Sequence, residues 1–295
     1  MLHIFSQILP IICPILIITT LGFLWNKLGN NLNENEIIKL ITWIGAPTLV
    51  FNTLITSEAN PLLIQNIMFI ALLLTLFMLI FSYFILKVFK EPIRALINPM
   101  TFQNSGNLGL TLCFFAFGKI GLELAIIYFM ITSILHFTLG LTIWSGNISI
   151  KHLLKTPIIY AVILGLVINI YNIHIPITIT NTTSVLAGIT IPLLIFTMGT
   201  SLSKIQFRIE TKIIFLILIR TLVFLAIAYL LTILFKIDGI AQKIILIQSV
   251  LPAPIFTYLF ASQYKIAPDK VANYLMTSTL ISIMTITIFL TLILK

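Results

Sequence analysis

From end to end this chain repeats one pattern that no soluble fold accommodates: apolar runs of about 20 residues, the length an α-helix needs to cross ~30 Å of hydrocarbon. A transmembrane β-barrel would alternate apolar and polar residues, and these runs do not alternate. Composition agrees. Of 295 residues 59% are hydrophobic and only 8% are charged, against about a quarter charged in an ordinary soluble domain. The expected fold class is therefore all-α integral membrane. The net charge of +9 does not indicate nucleic-acid binding, because the basic residues sit singly in short loops between apolar runs. Cys13 and Cys113 both lie inside such runs, so neither a disulfide framework nor a metal-ligand spacing is expected. The first run contains Pro10 and Pro14 and lacks a basic leader and a small-residue cleavage site. It reads as a retained helix rather than a secretory signal.

Hydropathy, punctuated by proline, glycine and charge, predicts ten spans near 4–25, 37–56, 62–86, 96–117, 122–144, 157–173, 183–203, 212–235, 240–262 and 269–293. Loops after odd-numbered spans hold most of the 17 lysines and arginines, among them Lys27, Lys87, Lys90, Arg94, Lys151, Lys155, Lys204, Arg208, Lys212 and Lys270. The opposite loops hold only Lys119, Lys236, Lys243 and Lys295. By the positive-inside rule the first set is cytoplasmic, and both termini lie outside the cytoplasm.

The halves of the chain resemble each other. Pro14 and Gly22 match Pro157 and Gly165 at an offset of 143, and the segment Ala46 to Phe51 matches Ile191 to Phe196 at 145. Gln103 matches Gln248 at 145, and Lys119 to Met130 matches Lys265 to Met276 at 146, pairing Glu123 with Asp269 and Tyr128 with Tyr274. Five spans per unit is an odd number, so the second copy enters the membrane inverted. Two inverted five-helix repeats suit alternating access, in which the halves exchange conformations and close one face as the other opens.

The fourth span contains Gln103, Asn104, Ser105 and Asn107 around Gly106 and Gly109, at a depth where polar side chains need partners and glycines let a helix open. Its counterpart in the ninth span places Gln248 and Ser249 before Pro252 and Pro254, each proline removing an amide donor and clashing with the preceding turn. Interrupted helices at corresponding places in two halves are the best sequence pointer to a transporter's binding site. Freed N–H groups and the positive ends of the half-helices would face an anion such as a carboxylate there. The competing reading is that these side chains simply join helices, at ~0.6 kcal/mol each.

Arg220, inside the eighth span, has three readings: a counter-charge for the substrate, a side chain snorkelling toward the cytoplasm, or a donor to freed carbonyls of the ninth span. Asn52 follows Pro47 in the second span, and Pro192 stands at the matching place in the seventh, so prolines are expected to break or kink the wall around the crossing. Glu123 and Asp269 stand near helix starts and are read as complements to the helix dipole. His136, a lone histidine in the fifth span, is read as core, with a proton relay as the alternative. No HExxH, paired intramembrane aspartates or phosphate-binding glycine loop is present, so neither an enzyme nor a cofactor is expected.

Three segments now carry a family resemblance: the fourth-span sequence from Gln103 to Tyr128, the seventh-span sequence from Leu186 to Lys204, and the stretch from Leu251 to Ser282. In order and spacing these resemble the auxin efflux carrier family, bacterial branch, of the superfamily that includes the bile acid symporters. The resemblance implies a scaffold (1–60 and 157–205) that can mediate a homodimer, and a mobile core (62–144 and 211–294). It also implies substrate bound beside crossing broken helices, with Asn104, Pro252 and Pro254 at the matching positions. One departure is Thr111, where a proline often follows the fourth-span glycine; the break there is expected to rest on Gly106 and Gly109. The expected function is secondary transport of a small organic anion across the inner membrane, coupled to H+ or Na+ or uncoupled. The alternatives are a sodium-coupled symporter of bile-acid-carrier type and a non-transporting receptor that keeps the fold.

Overall fold

A computed structural model describes residues 2–30, 33–57, 60–146, 157–204, 208 and 210–293. Lys151, Lys155 and Lys295, which entered the charge pattern, lie outside the described residues. Every regular element among the described residues is helical. We number them α1 (Leu2–Lys27), α2 (Glu34–Leu40), α3 (Ala46–Ile55), α4 (Pro61–Val88), α5 (Ile93–Thr101), α6 (Thr111–Leu135), α7 (Leu141–Ser145), α8 (Pro157–Ile170), α9 (Ile177–Leu202), α10 (Thr211–Leu234), α11 (Gly239–Ser249), α12 (Phe256–Gln263) and α13 (Pro268–Ile293). Three π-helical turns, Ile41–Gly45, Ser105–Leu110 and His136–Gly140, join α2 to α3, precede α6, and join α6 to α7.

Among the described residues seven stretches are long and apolar enough to cross a membrane, so the ten expected segments do not emerge as ten separate spans, for three physical reasons. The expected fourth and fifth spans run together as Ile93–Ser145, yet the backbone at Gly118 (φ 63°, ψ −147°) is not helical. A Cβ at Gly121 would lie 2.3 Å from the Cys113 carbonyl, so the chain doubles back there. The sixth is α8, 14 residues among those described, which at ~1.5 Å per residue falls short of ~30 Å of hydrocarbon. The ninth is split into the 11-residue α11 and the eight-residue α12. The seventh begins at Ile177, six residues before the expected start.

Packing sorts the helices. α1 lies along α9, and α3 packs on both α8 and α9. Glycines set these distances: a Cβ at Gly22 would stand 2.1 Å from the Phe196 carbonyl oxygen, and one at Gly199 only 2.0 Å from that of Thr19. Small residues allow such backbone approach where lipid offers helices no hydrophobic drive to associate. Asn26 Nδ2 donates to Ser203 Oγ at 2.7 Å at the same end of the pair. The remaining helices pack chiefly on one another, α4 on α5 and α6, α6 on α11, α10 on α11, and α13 on α5 and α12.

Proline has unequal effects. Pro47 follows the π turn Ile41–Gly45, a local widening of the helix at the place where its ring crowds the preceding turn. Pro192, expected to interrupt its helix, does not: α9 runs through it with the ring exposed, since losing one intrahelical bond need not end a helix. α1 likewise runs through Pro10 and Pro14.

Candidate functional site

Both expected breaks are present, but the first does not rest on its glycines. α5 ends at Thr101, Phe102 is extended (φ −92°, ψ 148°), and Asn104 caps the π turn that begins at Ser105. Gly106 and Gly109 lie inside that turn, and neither has a positive φ. Close approach explains both: a Cβ on Gly106 would be 2.8 Å from the Phe129 ring, and one on Gly109 would be 2.6 Å from Gln248 Oε1. The second break is the non-helical stretch from Val250 to Ile255, with Pro252 and Pro254 buried in it.

The two breaks touch, because Asn104 N donates to the Pro252 carbonyl at 2.8 Å. A buried backbone must satisfy its polar groups internally, and here most of the freed groups have partners. The Arg220 guanidinium, 1% exposed, donates to the carbonyls of Met100 (3.1 Å), Phe102 (3.1 Å) and Leu251 (2.6 Å). Phe224 stacks under it, 5.4 Å from ring centroid to Cζ. Ala253 N donates to Ser278 Oγ at 3.2 Å. Asn104 Oδ1 accepts from Asn107 N at 3.2 Å, a side-chain N-cap.

Arg220 therefore gathers the carbonyl ends of α5 and α11. The amino ends of the segments that follow, at Ser105 and Phe256, line a cavity on another side of the crossing. This cavity has an empty volume of ≈ 790 Å³, the open space at its mouth included. One wall comes from Thr42, Leu49, Thr190 and Leu194 of the α2, α3 and α9 group. The other comes from Phe102 to Asn107, from Phe129 to Phe137 and from the α12 start. None of its lining residues is Asp, Glu, Lys or Arg.

Of the residues expected at the site, Gln103, Asn104, Ser105, Gly106, Asn107 and Pro254 line this cavity. The Asn104 amide N–H groups have only a thioether, Met198 Sδ at 3.6 Å. Gln103 Nε2 donates to the Tyr128 hydroxyl at 2.7 Å, and its Oε1 has no partner among the described residues. Asn107 Nδ2 donates to the Leu194 carbonyl at 3.3 Å, and Ser105 Oγ lies 3.1 Å from Thr132 Oγ1.

Other expected residues stand elsewhere. Gln248 and Ser249 are wholly buried in α11, the former against Gly109 and Cys113, the latter donating to the Leu246 carbonyl at 2.6 Å. Pro252 contributes its carbonyl to the crossing rather than a wall to the cavity. Asn52 accepts from Thr183 Oγ1 at 3.3 Å, bracing α3 against α9. Arg220 does not line the cavity; of its three readings, the structure shows the carbonyl donor. Pro47 and Pro192 do not line it either.

Sequence reasoning missed Thr132 and Ser133 of α6 and read His136, which opens the π turn after it, as core; all three line the cavity and are at most 6% exposed. Their spacing of three and four residues, which puts polar groups on one stripe of a helix, was the available signal. Glu123 accepts a hydrogen bond from Ser57 Oγ, which ties its carboxylate to the loop after α3.

A helical bundle with seven membrane-length stretches among the described residues, and an interrupted-helix crossing beside a cavity, is in class a multi-pass membrane protein. Residues 141–290, just over half the chain, match the family described as membrane transport protein, and the chain belongs to it, the auxin efflux carrier family. A transporter of Methanocaldococcus jannaschii, itself uncharacterized, is 24% identical over 301 residues, covering 95% of this chain and 97% of that protein.

Proposed function

We propose that this chain is a secondary transporter that carries a small organic anion, a carboxylate, across the inner membrane by moving one helix group against the other. The moving core is α4 to α7 with α10 to α13, and the scaffold is α1 to α3 with α8 and α9; the scaffold is also the surface through which two copies would pair. Sparse packing between the groups, and a cavity walled by both, support that division.

Ten crossings in two inverted repeats are part of this reading. Glu91 pairs with Lys212 at 2.7 Å and with Lys270, which gathers three of the loops expected to be cytoplasmic. On the other side, Asn169 Nδ2 donates to the Ser57 carbonyl at 2.9 Å and Ser57 Oγ donates to Glu123. The repeat-related glycines Gly22 and Gly165 each take a close neighbour from the other half, Phe196 and Leu54 respectively. On this reading both termini face away from the cytoplasm.

One observation carries the anion assignment. Asn104, 5% exposed, lines a cavity that also receives two helix amino ends, and among the described residues its amide N–H groups have only the thioether of Met198. Neutral donors of that kind stabilise negative charge without fixing a permanent counter-ion in the membrane.

Uptake of radiolabelled carboxylates by the purified protein in liposomes tests the reading. Asn104→Asp keeps the oxygen that caps Asn107 and replaces the free N–H groups with negative charge. Transport should fall at least tenfold while thermal stability stays near wild type. Unchanged transport, or binding of a carboxylate with no movement across the bilayer, would remove the proposal.

A further inference from the structure

Resting on the anion reading above, we propose that His136 is the proton-binding site of this transporter and that it takes up one proton with each carboxylate that enters the cavity. Among the lining residues described, His136 is the one whose side-chain type, unperturbed, changes charge between pH 5 and 8. It is 6% exposed, and its Nε2 has no hydrogen-bonding partner among the described residues.

Among the described residues, its surroundings supply no counter-charge. From α5 the Phe102 ring stacks on the imidazole, with centroids 4.3 Å apart and 20° between planes. Phe260 of α12 meets it edge-on at 6.1 Å, and Phe137 on its own helix lies at 5.9 Å. The side chains Thr132, Ser133, Gln103 and Asn98 nearby do not ionise. The hydroxyl of Tyr128 is committed to Gln103. Two cations approach the region, and both are occupied. Arg220 spends its donors on Met100, Phe102 and Leu251, behind the Phe102 backbone, and Arg94 donates to the carbonyls of Ile143 and Trp144.

An empty cavity of this kind keeps the imidazole neutral, because a lone buried cation lacks solvent and partner alike. A bare carboxylate in the same space faces the same penalty. When both are present, the proton drawn from solvent onto the imidazole gives a hydrogen-bonded ion pair, and each group removes the other's obstacle. Bound substrate and proton are then neutral together for a monocarboxylate, so the loaded cavity crosses the bilayer without moving net charge.

The test uses the wild-type protein in nanodiscs with acetate, benzoate and malonate as probes, all ionised above pH 6. Calorimetry in two buffers of different ionisation enthalpy should report about one proton taken up per carboxylate near pH 8, and affinity should weaken up to about tenfold per pH unit above neutrality. His136→Gln, which keeps a neutral hydrogen-bonding side chain, should bind with no proton uptake and no such slope. Binding by the wild type without proton uptake, at constant affinity from pH 6 to 9, overturns the proton site and leaves the anion reading standing. Persistent proton uptake in His136→Gln overturns it as well, by placing the titrating group elsewhere. If none of the three probes binds at any pH, the anion reading falls, and the proton site with it.

Discussion

Replacing Arg220 with methionine keeps a long apolar side chain against Phe224 and deletes every guanidinium donor. Three backbone carbonyls, on Met100, Phe102 and Leu251, then lose their partner inside the protein. An orphaned buried acceptor costs ~1–3 kcal/mol. The bonded carbonyls come from the two ends of interrupted helices, whose own continuations cannot reclaim them. Some of the loss returns, because removing a buried cation also removes its desolvation cost, so the net destabilisation should be about 3–5 kcal/mol. Arg220→Lys retains the charge but reaches fewer carbonyls than a planar fork, and should recover about half. Thermal unfolding in nanodiscs should show a melting temperature lower on the order of 10 °C for the methionine variant. Because Arg220 does not line the cavity, carboxylate affinity of folded Arg220→Lys should stay within a few-fold of wild type. A methionine variant as stable as wild type would falsify the role of carbonyl clamp. A lysine variant that is stable but loses anion affinity while keeping a neutral analogue would restore the counter-charge reading.

Gly22→Ala and Gly199→Ala each drive a methyl into a carbonyl of the facing helix, at 2.1 and 2.0 Å, and should each cost about 1–3 kcal/mol by overpacking. Gly188→Ala in the same helix as Gly199 meets nothing within 4 Å and should be neutral or slightly stabilising; thermal shifts compare the three. Gly109→Ala presses on the Gln248 amide at 2.6 Å and on Leu251 Cδ1 at 2.9 Å, so adding Gln248→Ala should return much of the lost stability, read as a double-mutant cycle. Burial tends to raise the Glu91 carboxyl, but hydrogen bonds and charge from Lys212 and Lys270 outweigh it and hold the group below the ordinary carboxylate range. A group lowered in the folded state stabilises above its unfolded value and loses that contribution as pH falls through the folded one. Wild type should therefore exceed Glu91→Gln in melting temperature at pH 7, and the gap should close as pH drops below about 4; a gap that holds constant to pH 3 contradicts the pairing.

The helical class and the two breaks were legible in sequence because both follow from local chemistry. Apolar runs must become helices in lipid, and Pro252 and Pro254 cannot continue one. What sequence could not decide is which of several polar residues faces which neighbour. Gln103 and Gln248 match at an offset of 145 in sequence, yet the first lines the cavity and the second sits against Gly109. Gly106 and Gly109 were read as conformational breakers when their hydrogens serve contact, a distinction that needs the facing ring of Phe129 and the amide of Gln248. Arg220 could not be assigned for the same reason: an intramembrane arginine announces that it has partners and says nothing of whether they are solute or backbone.

Once those partners are known, the polarity of the crossing follows. Each interrupted helix presents a carbonyl end and an amide end, carrying opposite partial charge. Arg220 collects both carbonyl ends, so the negative half of each break is neutralised by a cation of the chain itself. Both amide ends, at Ser105 and Phe256, are left toward the cavity, with Asn104 adding N–H groups held only by Met198 Sδ. On the anion reading, a solute arriving there would meet the positive ends of both breaks, although no Asp, Glu, Lys or Arg lines the walls. On the anion reading proposed above, the preference for negative charge draws on backbone direction as well as on His136, and swapping a single neutral polar side chain should tune affinity without reversing the preferred sign of charge. Reversal would require turning one break around, so that its carbonyl end faced the cavity in place of its amide end.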